Sequence, residues 1–252
     1  MNTDLASRTA LVTGGGTGIG RGMSLALAAN GAAVVVNYSR SRDDAENTVE
    51  AINQAGGRAV AVQADITEES QVKHLIQQTV DAFGGLDILI ANAGGRTRDA
   101  PTIDLTREDW DHGIALNCTS VFLCVKHAVE HLPDQIGRII VTSSISARSG
   151  AGPGMVIYAA AKGVLNNMVR NWAKELGPRR ITVNAIAPGV IRTRLHAQFT
   201  PPDEYKKLIE RVPVGRDGLP EDCAGATVLL AGDAGSYITG QTIEINGGMA
   251  MP

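Results

Sequence analysis

Apolar residues recur along the chain in short, evenly spaced runs. RTALVT (8–13), AAVVVNY (32–38), RAVAVQA (58–64), LDILIAN (86–92), GRIIVTS (137–143), ITVNAIA (181–187) and QTIEIN (241–246) are rich in Val and Ile. Bounded by Gly, Asp, Asn or Pro, they predict strands. Between them the apolar spacing becomes helical. In ITEESQVKHLIQQTVDAFG, Val72, Leu75, Ile76 and Val80 share one stripe, Glu68 and Glu69 suit a first turn, and Thr67 is placed to cap it. Strands apolar almost throughout belong to a sheet covered on both faces, and alternation of strand with helix makes that sheet parallel. The pattern therefore predicts a doubly wound α/β fold of about seven parallel strands with helices on both faces, in one domain over residues 1–252. Residues 190–218 break the rhythm. With Pro201, Pro202 and Pro213 they read as a mobile lid over a site rather than as core.

Composition narrows the class without naming it. The 252 residues are 44% apolar and 19% charged, with a formal net charge of −3, which offers no electrostatic footing for nucleic acid or an anionic membrane. No apolar run nears the roughly 18–20 residues of a membrane span, and the first residues lack a basic stretch followed by an apolar one. A cytoplasmic location is expected. Cys118, Cys124 and Cys223 match no metal or redox spacing and are expected to be reduced, buried small hydrophobes. The five histidines include one pair four residues apart, His127 and His131, and no metal site is expected.

The stretch TGGGTGIG, Thr13 to Gly20, sits where the first strand hands over to a helix. Ligands of doubly wound folds lie beyond the carboxyl ends of the strands, and this first turn is the usual phosphate site. Gly14 permits a tight exit from the strand, Gly18 lets the backbone approach a diphosphate, and Gly20 lets the helix pack on the sheet. The amides opening the helix, with the positive end of its dipole, then face the anion. A glycine cluster alone makes only a turn. This one follows the first strand of a suitable architecture, which points to nucleotide binding.

The spacing is G-x-x-x-G-x-G rather than the commoner G-x-G-x-x-G. ANAG (91–94), Asn117, Ser143-Ser144, YAAAK (158–162) and PGVIRT (188–193) follow in order. From about Arg8 to Gly248 the chain resembles the short-chain dehydrogenase/reductase family. The resemblance implies a Rossmann-type single-domain sheet, a nicotinamide cofactor, and assembly as a homotetramer built from dimers. It also implies that Gly14, Thr17, Gly18, Ile19 and Gly20 cradle the diphosphate. Asp65 and Ile66 would lie at the adenine, and Asn92, Ala93 and Gly94 beside the cofactor. Pro188, Gly189, Ile191 and Thr193 would hold the carboxamide.

The second strand ends in Asn37-Tyr38-Ser39-Arg40, with no acid before Asp43. A carboxylate there would bind ribose hydroxyls and repel a 2′-phosphate, whereas the fork of Arg40 and the hydroxyl of Ser39 suit phosphate. NADP(H) is the expected cofactor, with NAD(H) the alternative because Thr17 stands where many NADP-dependent members carry a basic residue. Arg40 and Arg42 could equally be solvated surface charges.

Tyr158 alone among four tyrosines has a lysine, Lys162, four residues on, which places both on one helical face. The resemblance makes Tyr158 the general acid/base. Lowering a phenol from about 10 to near 7 takes roughly 4 kcal/mol. An ammonium about 5 Å away contributes roughly 3 kcal/mol at an effective dielectric of about 20. Ser144 is expected to hydrogen-bond the reacting oxygen, with Ser143 its rival, since the loop before Tyr158 is one residue longer than the family spacing. Asn117 resembles the asparagine that positions a water beside the lysine; the alternative is a capping residue opening NCTSVFLCVKHAVEHL.

The expected reaction interconverts a ketone and a secondary alcohol, in a pocket walled by residues 94–98, 145–157 and 190–212. Arg96, Arg98 and Arg148 could meet an anion there, although arginines in loops are more often solvated. A reductase of 3-oxoacyl groups on an acidic carrier protein ranks second: Arg179 and Arg180 would form half of a docking patch, but Asp134 stands in the other half. A sugar dehydrogenase ranks third, and a cofactor sensor without turnover is the non-enzymatic alternative. Surplus apolar residues over 117–132, and Leu165, Met168, Trp172 and Leu176 after Tyr158, are where the resemblance places a dimer contact.

Overall fold

A computed structural model describes residues 4–251, except for the side chains of residues 195–197; the outer limits predicted for the domain, 1–252, lie outside the described residues. Seven strands form one sheet: β1 (Thr9–Val12), β2 (Ala33–Tyr38), β3 (Arg58–Gln63), β4 (Ile88–Ala91), β5 (Arg138–Thr142), β6 (Thr182–Pro188) and β7 (Thr242–Ile245). Their order is β3-β2-β1-β4-β5-β6-β7, and each pairing is parallel. Each strand lies within its predicted run except β6, which runs one residue further to Pro188. The helices are α1 (Gly18–Ala29), α2 (Arg42–Gln54), α3 (Glu69–Phe83), α4 (Arg107–Ile114), α5 (Ser120–Ala128), α6 (Ser146–Ser149), α7 (Val156–Leu176), α8 (Arg194–Phe199), α9 (Pro202–Glu210) and α10 (Pro220–Ala231).

Alternate strand residues feed two cores. Leu11, Leu89, Ile139 and Val183 pack against Leu75 of α3, Cys124 of α5 and Leu165 of α7. Ala10, Val34, Ile90 and Ile140 pack on the opposite face against Met23 of α1, Ile52 of α2 and Leu230 of α10. All three cysteines are free and buried. Among the described residues no helix is long and apolar enough to cross a membrane. The chain turns outward from β1 in both directions, to β2 on one side and β4 on the other, which opens a crevice at their carboxyl ends.

Two local expectations are corrected. Thr67 does not cap α3: its hydroxyl and amide both donate to Asp65 Oδ1, at 2.7 and 3.0 Å, so the turn after β3 takes it first. Helix does not open at Asn117. It begins at Arg107, where Thr106 and Asp109 exchange side chain–backbone bonds in a capping box, and it passes Asn117 in a π-helical turn, Ala115–Thr119. Residues 190–218, read as a lid, carry two short helices, α8 and α9.

Candidate active site

The glycine turn is shaped by close approach more than by helix packing. Gly14 has φ +61°, a left-handed conformation that turns the chain at the strand end. A Cβ on Gly20 would sit 2.2 Å from the Gly14 carbonyl oxygen and 2.6 Å from Asn92 Nδ2. The turn folds over its own helix start, so Gly20 is small for the loop's sake rather than for the sheet. Asn92 ties this turn to the end of β4, donating from Nδ2 to Thr13 O at 2.9 Å, while Thr13 Oγ1 receives the amides of Asn92 and Ala93 at 2.9 and 3.0 Å. Thr17 precedes α1 without a side-chain cap, and the first amides of a helix have no intrahelical acceptor. Those of Gly18, Ile19 and Gly20 therefore offer an anion-binding start to a 12-residue helix.

At the end of β2 the four predicted contact residues divide. Asn37 is buried and fully engaged: Nδ2 donates to Ala64 O at 3.1 Å and Val62 O at 3.3 Å, and Oδ1 accepts from Gly14 N at 3.3 Å. It is a clamp between β2, β3 and the glycine turn, with no side-chain group left for a ribose. Tyr38 packs into the second core. Ser39 and Arg40 are exposed at the tip. Arg42 is held by Glu46 at 2.7 Å, whereas Arg40 is in none of the ion pairs among the described residues, and its charge helps to lower the Asp65 carboxyl below its usual range after the larger effect of the Thr67 bonds. Ile66 and Ile191 turn their side chains into the cores, which leaves only their backbones to face a ligand.

The chemical groups gather at the carboxyl ends of β4, β5 and β6. One turn apart on α7, Tyr158 and Lys162 place the ammonium 5.7 Å from the phenol ring centroid. Lys162 is buried, donates from Nζ to Thr142 O at 2.8 Å, and is pushed down to about 8 by desolvation. Gly94 runs alongside: a Cβ there would lie 3.5 Å from Lys162 Nζ and 2.8 Å from Asn117 Oδ1. The Asn117 amide closes a two-way clamp on Gly95, accepting its N–H and donating to its carbonyl, both at 2.9 Å. The Tyr158 hydroxyl differs from expectation. Burial raises its pKa, and the opposing effects are Ser144, beside it, and then Arg96. Lys162 is not among them; its ammonium donates to Thr142 O. The two serines also divide. Ser143 Oγ donates to the Lys162 carbonyl at 3.3 Å, a structural bond, while Ser144 Oγ lies toward the phenol and accepts from Ser146 N at 3.1 Å.

The segment 190–218 arches from the end of β6. Ile191 bridges to Gly218, and Asp217 joins both arms, receiving Arg192 Nε and Tyr205 OH at 2.8 Å each. Thr193 packs toward the glycine turn, with its Cγ2 3.3 Å from where a Gly18 Cβ would be. Arg194 makes a two-pronged bridge to Asp44 at 2.6 and 2.8 Å. Of the three pocket arginines, Arg98 pairs with Asp109 at 2.8 Å and Arg148 with Glu244 at 3.3 Å. Arg96 is the most enclosed, 13% exposed, pairing with Asp99 and lying 5.1 Å over the Phe199 ring. Sequence spacing did not single it out.

A glycine turn over a topological switch point, with a tyrosine–lysine pair and a serine at the next strand ends, defines an oxidoreductase of the dinucleotide-binding class. The comparisons agree. The family model described as enoyl-(acyl carrier protein) reductase matches residues 14–250. A 3-oxoacyl-[acyl-carrier-protein] reductase of Synechocystis is 42% identical over 99% of each chain. Among solved structures, a dehydrogenase/reductase from Sinorhizobium meliloti superposes with TM-score 0.95 at 39% identity, covering 99% of this chain and 98% of that one. A short-chain dehydrogenase from Burkholderia cenocepacia in complex with NADP gives TM-score 0.91 at 36% identity, covering 97% and 98%. The chain belongs to the short-chain dehydrogenase/reductase family, as an oxidoreductase working between CH–OH and C=O.

Proposed function

We propose that the protein is an NADP(H)-dependent oxidoreductase that interconverts a ketone and a secondary alcohol, with Tyr158 as general acid/base. The observation that carries this reading is the convergence of Tyr158, Lys162 and Ser144 beside Gly94, at the edge of the sheet where the glycine turn opens. The residues fit a dinucleotide. Uncapped amides at α1 suit its diphosphate, and exposed Ser39 and Arg40 suit a 2′-phosphate. Lys162 suits the ribose hydroxyls beside the nicotinamide. The Burkholderia relative bound to NADP supports the same choice.

When bound, the nicotinamide supplies or accepts the hydride. The protein manages the proton and the oxygen. Ser144 donates a hydrogen bond to the carbonyl oxygen, and Tyr158 gives that oxygen its proton as the alcohol forms. In the reverse direction Tyr158 takes the proton back, which requires the phenolate. Ser144 and Arg96 favour that form against the opposing effect of burial. The Asn117 clamp holds Gly94 and Gly95 against Lys162, and residues 190–218 cover the pocket as a lid.

A reductase of carrier-bound 3-oxoacyl thioesters is the second reading, favoured by the Synechocystis relative's name. Against it, Arg179 is consumed internally, pairing with Asp134 at 2.7 Å and donating to Leu132 O at 2.6 Å. Loss of NADPH absorbance with a panel of ketones, sugars and a 3-oxoacyl thioester, repeated with NADH, tests the proposal. Turnover of simple ketones with at least tenfold preference for NADPH (about 1.4 kcal/mol) is expected. Binding without turnover, or preference for NADH, would overturn it. Assembly as a cytoplasmic homotetramer built from dimers completes the reading, with Phe122 of α5 and Val164 of α7 45% and 46% exposed on the helices it would pair.

A further inference from the structure

Arg96 lies among the catalytic groups and its charge favours the Tyr158 phenolate, yet its own hydrogen-bonding capacity is used by neither the hydride step nor the proton step. Its guanidinium is 13% exposed and covered on one side by the Phe199 ring of the lid, 5.1 Å away. Asp99 takes one edge of the fork, receiving Nε at 3.2 Å and pairing with Nη2. Nη1 meets no acceptor among the described residues. The other charged or titratable groups that act on Arg96 are Tyr158 and, on α9, Glu204. Both lie near enough to act on its charge, and neither makes a hydrogen bond to it among the described residues. The segment is also held firmly. Ala100 N donates to Gly154 O at 3.1 Å, and Thr97 abuts Gly113 beside Ile157, the neighbour of Tyr158.

A desolvated guanidinium with one edge satisfied and another free is built to receive a second carboxylate. Resting on the reductase reading above, we infer that Arg96 selects a carbonyl substrate that carries a carboxylate on a short arm beside the reacting carbon. Among the ketones the site turns over, the preferred class is a short-chain oxo acid. The Phe199 contact makes the lid part of this selection, because the ring that covers the pocket also covers the cation.

The test compares 3-oxobutanoate with its methyl ester, in the parent and in Arg96→Gln and Arg96→Lys. Loss of the positive charge beside Tyr158 affects both substrates alike, so the quantity to read is the ratio of their kcat/KM values. That ratio should favour the acid in the parent, fall about tenfold or more in Arg96→Gln, and recover in part in Arg96→Lys. A ratio unchanged by Arg96→Gln, or a parent that favours the ester, overturns the inference. Calorimetric titration of butanoate against butanamide, with NADP present, separates the two layers. Arg96-dependent butanoate binding without turnover of either oxo compound would leave this selection standing and remove the reductase reading. Turnover of the ester with no Arg96-dependent binding of butanoate would do the reverse.

Discussion

Lys162→Met should make the protein more stable at neutral pH while abolishing its activity. The Lys162 ammonium is buried, and its pKa is pushed from 10.5 to about 8 by desolvation. That displacement corresponds to about 3 kcal/mol against the charged form. Methionine fills a similar volume without the charge, but it forfeits the bond to Thr142 O, which costs about 1–2 kcal/mol. A net gain of about 1–2 kcal/mol remains, or a few degrees in melting temperature for a chain of this size. The pH dependence is the sharper signature. Below about 8 the lysine is protonated in both states and the full penalty is present. From about 8 to 10.5 the unfolded chain binds more protons than the folded one, so parental stability rises with pH. The gap between variant and parent should therefore be widest below pH 8 and shrink toward pH 10.5. Thermal unfolding without added cofactor, followed by circular dichroism from about pH 7 to 10, reads it directly. A variant that melts below the parent at pH 7, or a gap that does not change with pH, would refute the reasoning.

Three further outcomes are expected. Ser144→Ala should lower kcat by about 100-fold, the scale of one lost donor to the reacting oxygen, whereas Ser143→Ala should act mainly on stability, by about 1 kcal/mol through its bond to Lys162 O; steady-state kinetics and melting curves on both variants tell them apart. Arg40→Ala should reduce kcat/KM with NADPH by about tenfold and leave NADH nearly unaffected, since an exposed arginine gripping one phosphate contributes on that scale. Sedimentation should give a tetramer that Phe122→Glu breaks into smaller species, because the substitution places a carboxylate on a face left 45% exposed in the single chain.

The sheet was legible because its strands are buried on both faces. Runs such as AVVVNY and RIIVT are short, rich in Val and Ile and bounded by turn residues, and each became a strand. Tyr158 and Lys162 were legible because helical spacing is a one-dimensional signal that survives folding. What the chain concealed lies in contacts between distant segments. Asn37 looks like a ligand residue at a strand end, but its partners are the carbonyls of Val62 and Ala64 on the next strand. The T-x-x-D box that starts α4 at Thr106 was a readable local signal, outweighed by the apolar stretch after Asn117. The direction of the Tyr158 displacement depends on burial set against the Ser144 and Arg96 groups beside it, and none of these is a property of spacing. Arg96 could be named as a loop arginine, but only packing distinguishes it from Arg98 and Arg148, by enclosing it beneath Phe199.

The role of Tyr158 as the proton donor is tested most directly by single-turnover reduction in Tyr158→Phe loaded with NADPH. Phenylalanine keeps the ring and removes only the hydroxyl, so cofactor affinity should stay within a few-fold of the parent while the hydride-transfer rate drops by about 1000-fold or more, within the usual contribution of a positioned acid. Transfer at the parental rate would contradict the account.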